Sequence, residues 1–259
     1  MKDTLSKYIT KMESLFKASP PILMILNYHS ISNDGTIVDV LPEEFEKQIH
    51  FLKSNFDVIS LEEAVGFVRG DFEIKRPSVV LTFDDGYDDL LDYAAPILAN
   101  HNIPSAVFVL SDPDRVNRNE LENDKKLLEK DQIKKLQKLG WTIGCHSATH
   151  PDFLRGVGTE KEIRDAKKTL EKELGCEIKY FAYPKGVYND KVLKAVKLAG
   201  FSGAFTTHWA SLSKQTDLFR IPRIGVDRTH TIAQFSAFFT NWARIYSNVK
   251  CYFKESIAK

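Results

Sequence analysis

Apolar runs rich in β-branched and aromatic residues alternate along the chain with stretches whose apolar positions recur every three to four residues. That rhythm predicts strands joined by crossover helices, and so a parallel sheet. Strands are predicted over 22–29, 57–60, 78–83, 105–110, 141–146, 179–184, 202–207 and 219–226, with the run at 57–60 the weakest. Helices are predicted over 42–55, 61–69, 88–100, 131–139, 160–174 and 190–199. Gly140, Gly175 and Gly200 directly follow three of these helices, where a left-handed C-cap favours glycine. Seven or eight strand and helix units in 259 residues fit an α/β fold, a distorted (β/α) barrel with about seven strands in a single domain. A doubly wound open sheet is the competitor, weakened because no G-x-G-x-x-G follows the first strand.

The two ends carry a different pattern. Residues 1–20 place Leu5, Tyr8, Ile9, Met12, Leu15 and Phe16 at helical spacing beside four lysines, which predicts an N-terminal amphipathic helix. The barrel is assigned to 21–230, and 231–259 to a C-terminal helical extension whose Phe235, Phe238, Phe239, Trp242, Ile245 and Val249 share one face. Docking against the barrel is the simpler expectation for both helices. The same faces also suit peripheral contact with a membrane surface or a lipid-linked substrate. Charges interrupt every apolar stretch near the N-terminus and no run reaches the length of a membrane span, so a cytoplasmic protein is expected.

Composition narrows the class of partner. With 36 Lys and Arg against 35 Asp and Glu, the formal charge is +1, too small a field to gather a polyanion, so no nucleic-acid partner is expected. Cys145, Cys176 and Cys251 are widely spaced and form no CxxC pair, so neither a disulfide framework nor a zinc ribbon is expected. Function therefore rests on a few specific side chains.

Those side chains cluster at predicted strand ends, where barrel enzymes build their sites. The first strand ends at Asn27, Tyr28 and His29, the third at Asp84 and Asp85, the fifth at His146 with His150 beyond it, and the sixth at Tyr183 and Pro184. Adjacent carboxylates such as Asp84 and Asp85 repel, and one is driven toward protonation unless a cation neutralises the pair. Asp88 and Asp89 read instead as solvated acids in a first helical turn. In HSATH, 146–150, two imidazoles four residues apart can share a metal, although Pro151 favours a turn over a helix there. The glutamate of HExxH is missing, so a zincin protease is not indicated. Joined to an acid from another strand end, the pair makes a two-His, one-carboxylate site with coordination positions left open. Cys145, next to His146, should face the opposite side of the strand and lie in the core.

TFDDG at 82–86, HSATH at 146–150 and FAYPKG at 181–186 together resemble the three motifs of the polysaccharide deacetylase family, the NodB-homology carbohydrate esterases. NYHS at 27–30 and FRIPRIGV at 219–226 are similar to the subgroup that deacetylates poly-N-acetylglucosamine. The resemblance implies a metal-dependent hydrolase that removes N-acetyl groups from an amino sugar in a polysaccharide, oligosaccharide or lipid-linked glycan. It implies that Asp85, His146 and His150 hold a divalent metal, zinc, that Asp84 is the general base and His29 the general acid. Ser147 would support the histidine loop. The Tyr183 backbone N–H would bind the oxyanion and its ring would line the acetyl pocket, with Pro184 and Arg223 also at the substrate. FAYPKG lacks the arginine that orients the base in many relatives, and Arg220 or Arg223 is the candidate replacement. Another metal-dependent amide or ester hydrolase, or a catalytically silent carbohydrate-binding barrel, could use the same framework. The intact acids and histidines argue against the silent form, and an iron oxygenase would leave the second aspartate unexplained.

Overall fold

The computed structural model describes residues 22–117, 121, 125–155 and 158–239. Its strands are β1 (Leu23–Tyr28), the short pair β2 (Ser30–Ile31) and β3 (Asp39–Val40), β4 (Asp57–Val58), β5 (Ser78–Phe83), β6 (Ser105–Val109), β7 (Thr142–Cys145), β8 (Tyr180–Ala182), β9 (Gly203–Phe205) and β10 (Ile224–Gly225). Its α-helices are α1 (Pro42–Asn55), α2 (Leu61–Arg69), α3 (Ala94–Asn100), α4 (Lys130–Lys138), α5 (Ala166–Leu174), α6 (Asp190–Leu198) and α7 (Ile232–Ala237). Seven strands run in the order β10-β1-β5-β6-β7-β8-β9, with β4 beside the start of β5. All these pairings are parallel.

The sheet curls until its edges nearly meet. Ile221 bridges to Phe205 on β9, and three residues later Ile224 pairs with Leu26 on β1. One irregular segment thus joins both edges, which gives the barrel expected over the open sheet. Pro222 lies inside that segment and supplies no N–H, so the strand predicted over 219–226 reduces to β10.

Strand side chains alternate between two cores. Leu23 and Ile25, Val80, Ala106 and Phe108, Tyr180 and Ala182, and Phe205 fill the inside of the curl, where Leu61, Ala64 and Val65 of α2 also pack. Met24, Leu26 and Tyr28, Val79, Leu81 and Phe83, Val107 and Val109, Cys145, Phe181 and Tyr183 face outward under the other helices. Gly144 keeps the inside narrow: a Cβ there would lie 2.4 Å from the Phe108 ring.

Helix ends follow local chemistry. α1 starts at Pro42 with Glu43 and Glu44 in its first turn, and α2 is closed by a Ser60–Glu63 capping box and by Gly70 at φ 88°. The helix predicted over 88–100 is two pieces, a 3-10 turn at Asp88–Leu91 and then α3. Pro96 would obstruct a continuous helix but fits the first turn of α3. The helix predicted over 160–174 opens with a π-helical turn, Glu160–Asp165, before α5. Cys145 is fully buried, and burial pushes its thiol up to about 12.

The helical residues 1–20 of the sequence pattern lie outside the described residues, as do Trp242, Ile245, Val249 and Cys251. Within the described part of the C-terminal stripe, Phe235, Phe238 and Phe239 are buried, with Phe235 and Phe239 against Phe51 of α1. No helix among the described residues is long and apolar enough to cross a membrane.

Candidate active site

The inward parity of each strand, continued past its last residue, leads to the barrel mouth. Ile25 is followed on that face by Asn27 and His29, and Val80 by Thr82 and Asp84. On β7, Gly144 is followed by His146. The register levels these ends, since Tyr28 pairs with Phe83 and Val109 with Cys145, and the Asp84 N–H donates to the Tyr28 carbonyl. Asp85 departs from the alternation because its backbone is left-handed, φ 66°, which swings its carboxylate back toward the mouth. Gly86 follows at φ 72°, and a Cβ there would lie 2.9 Å from Val109 Cγ1.

Asp85, His146 and His150 place one potential ligand atom each within 4.8 Å of one another. His146 Nε2 lies 3.3 Å and His150 Nε2 3.5 Å from the same oxygen, Asp85 Oδ1. That oxygen is buried and makes no hydrogen bond. His146 Nδ1 sits 2.9 Å from the Ala182 carbonyl, which only an N–H can satisfy. With Nδ1–H committed there, Nε2 meets the Asp85 carboxylate either as the N–H of an imidazolium, which the charges of Asp84 and Asp85 favour against burial, or as a lone pair that shares a cation with it. The donor set of two imidazoles and one carboxylate fits a divalent metal of the zinc type.

The loop that carries the histidines is braced from outside the motif. Ser147 Oγ accepts the His150 N–H at 3.0 Å. Glu162, in the π-helical turn, accepts the N–H groups of Ala148 and Thr149 at 3.1 and 2.9 Å and the Thr149 hydroxyl at 2.9 Å. Ser147, His150 and Lys185 join Asp85 in the left-handed region, at φ 73°, 56° and 57°. Strained backbone is thus concentrated where the ligands converge.

Asp84 is held differently. Arg223 Nη1 and Nη2 donate to its two oxygens at 2.8 and 2.6 Å, and Asn27 Nδ2 donates to Oδ2 at 3.0 Å. The guanidinium also donates to the Thr206 carbonyl and the Thr82 hydroxyl, each at 3.2 Å, and lies 5.2 Å from the Phe108 ring. Arg223 is therefore the arginine that steadies this aspartate. Arg220 is half-exposed, 3.9 Å from both Asp190 and Asp217.

Burial alone would raise both carboxyls. At Asp84 the Arg223 charge outweighs it, and at Asp85 the electrostatic attraction of the surrounding imidazoles, His146 foremost, does so, holding each below the usual carboxylate range. Burial drives His150 down to about 4, so its imidazole is neutral and available as a ligand. His29 is partly exposed at the mouth, near enough for its charge to act on both aspartates.

Three residues expected at the substrate, Tyr183, Arg223 and Pro184, are buried in this structure. The Tyr183 N–H donates to the Phe205 carbonyl at 3.0 Å, so it is committed to the sheet and does not point to an oxyanion. Its ring faces the outer core by strand parity, stacked 4.6 Å from Tyr188, with the hydroxyl donating to the Phe219 carbonyl at 3.1 Å. Arg223 has no exposed surface, and its guanidinium is taken up by Asp84, Thr82 and Thr206. Pro184 is buried and opens the 3-10 turn that sets Lys185 at φ 57°. Asp89 is not a solvated acid either. It accepts from the Ser30 hydroxyl at 2.6 Å and from Lys125 at 3.0 Å, and Lys125 also binds Asp34 at 2.8 Å and Asp39 at 2.9 Å.

Fold and site together define a rolled α/β barrel whose mouth holds a two-His, one-carboxylate centre beside an arginine-steadied aspartate. The polysaccharide deacetylase family model matches residues 73–204, just over half of the chain. YxkH of Bacillus subtilis (strain 168), named for the polysaccharide deacetylases, is 27% identical over 222 residues, covering 85% of this chain and 76% of its own. The poly-beta-1,6-N-acetyl-D-glucosamine N-deacetylase of Staphylococcus epidermidis is 26% identical over 229 residues, 78% of either chain. Among solved structures, IcaB from Ammonifex degensii superposes with a TM-score of 0.72 at 22% identity, over 85% of this chain and 97% of that one, a likeness of fold. The chain belongs to the polysaccharide deacetylase family, and its chemistry is the hydrolytic N-deacetylation of carbohydrate.

Proposed function

We propose that the chain removes acetyl groups from N-acetylglucosamine units of a polymer or oligomer, the substrate type named for its Staphylococcus epidermidis relative. The observation that carries this is the pairing of an Arg223-bound Asp84 with the converging ligands Asp85, His146 and His150. A divalent metal held by those three ligands, zinc in this proposal, supplies a Lewis acid and lowers the pKa of water at the site. Asp84 takes the proton from the attacking water. A carboxylate offers about four lone-pair positions, and Oδ1 accepts only the Arg223 bond, so a lone pair remains there for the proton. Arg223 and Asn27 keep Asp84 ionised and fixed in direction while this happens. Cleavage of the amide needs its nitrogen protonated, because an amide anion is a poor leaving group, and His29 at the open side of the mouth delivers that proton. Acetate and a free amino sugar leave.

Acetate release from N-acetylglucosamine oligomers tests the scheme directly. The metal-stripped protein is expected to be inactive and zinc to restore it, while Asp84→Asn should bind the metal and release no acetate. Full activity in Asp84→Asn would remove the base role. His29→Ala should lower kcat and lose the alkaline-side fall of the rate with pH, and an unchanged pH profile would assign the acid elsewhere.

A further inference from the structure

At the opposite end of the barrel, Glu46 and His50 lie one turn apart on the same face of α1, and His101 caps the C-terminal end of α3. α1 runs back toward the start of the strands, where β4 pairs Asp57 with Ser78, and His101 lies four residues before β6 begins. We propose that Glu46, His50 and His101 form a second cation site, for a late first-row divalent ion such as zinc or nickel, remote from Asp85. Their ligand atoms already lie within 4.8 Å of one another. The two imidazole rings meet edge to face with centroids 4.9 Å apart. Lys53 donates to the His101 carbonyl at 3.1 Å, which fixes the backbone of the ligand contributed by the second helix.

Two imidazoles and a carboxylate are a donor set suited to zinc, nickel and copper, and poorly suited to magnesium or calcium. Glu46 and His50 are exposed and His101 is partly so, which leaves their side chains free to adjust around an ion and leaves room for water as further ligands. Exposure also means that side-chain freedom is lost on binding, so this site is weaker than the buried one. No step of deacetylation involves these residues. An ion there would tie α1 to the end of α3, groups 51 residues apart, and would stabilise the folded chain because it binds only when both helices are in place.

The test is a zinc titration of tag-free, metal-stripped protein against a chromophoric chelator. Wild type is expected to take up two equivalents of different affinity. His50→Ala/His101→Ala should take up one and keep full deacetylase activity, and Asp85→Asn should lose the tighter equivalent and the activity. Glu46→Gln, at an exposed position with little effect on folding, should raise the dissociation constant of the weaker equivalent alone. Zinc in excess of one equivalent should raise the melting temperature of wild type and not that of His50→Ala/His101→Ala. Uptake of a single equivalent by wild type, or retention of two by the double variant, would overturn the site without touching the assignment at Asp85.

Discussion

Arg223 is a fully buried cation whose charge is matched by one carboxylate, and this makes it the most sensitive residue of the mouth. Removing one partner of a buried ion pair leaves the other uncompensated, at a cost of about 3–5 kcal/mol. Arg223→Ala is therefore expected to fold poorly, and Arg223→Lys is the informative change. Lysine keeps the charge and loses the two-pronged grip, so Asp84 should swing away from its working direction. An expected fall in kcat of about 100-fold, with metal content and KM unchanged, follows if that direction matters. Equal kcat in Arg223→Lys would mean that charge alone suffices. Tyr183 offers the contrasting case: Tyr183→Phe loses a hydroxyl bonded to the Phe219 carbonyl and should cost about 1 kcal/mol in denaturant unfolding with kcat unaltered. A large loss of kcat there would restore the ring to the acetyl pocket.

At the scale of elements, strand parity decides what the mouth contains, and the inner face tolerates little added volume. Gly144→Ala would set a methyl group 2.4 Å from the Phe108 ring, the same ring that flanks the Arg223 guanidinium. Overpacking of this kind costs about 1–3 kcal/mol, and a melting curve of Gly144→Ala should show it. Displacement of Phe108 would also disturb Arg223, so kcat should fall along with stability; a destabilised variant with normal kcat would separate the two. Much of this was legible from the chain alone. Each run of β-branched and aromatic residues became a strand, and Asp84, Asp85, His146 and His150 stand at strand ends because the residues before them are buried. The same parity rule, applied to FAYPKG, already turns Tyr183 away from the inside once Ala182 is placed there. What the chain alone could not reveal depends on closure. Arg223 reaches Asp84 across 139 positions and Glu162 braces the histidine loop from 13 or 14 residues away, and neither carries a local pattern. The breaks in two predicted helices were partly visible, since Pro96 is in the sequence, whereas the π-helical turn serves a contact made only in the folded barrel.

The whole molecule carries almost no net charge, so its electrostatics are local, gathered at the mouth and in the Lys125 knot beside it. That knot ties segments far apart in the chain: Lys125 joins Asp34, Asp39 and Asp89, and Ser30, the residue after His29, bonds Asp39 and Asp89 at 2.6 Å each. Burial by itself would raise the Asp39 carboxyl, but hydrogen bonds from Ser30, Lys125 and Thr36 outweigh it and bring it down to about 2. The folded chain then binds fewer protons at Asp39 than the unfolded chain, whose carboxyl titrates near 3.8. The stabilisation is complete above that ordinary value and is lost as the pH falls through about 2. Asp89 works in the opposite sense, because burial raises it and protonation there favours the folded form. The acid loss should therefore set in below the ordinary carboxylate range and not above it. Melting temperatures of metal-stripped protein are expected to drop between pH of about 4 and about 2, and less steeply in Asp39→Asn, which begins lower near neutrality because Lys125 has lost a charged partner. Asp84 and Asp85 are also lowered and contribute in the same acid range, so the variant should retain part of the slope. Parallel curves for the two proteins would show that the knot does not couple this corner of the mouth to the stability of the barrel.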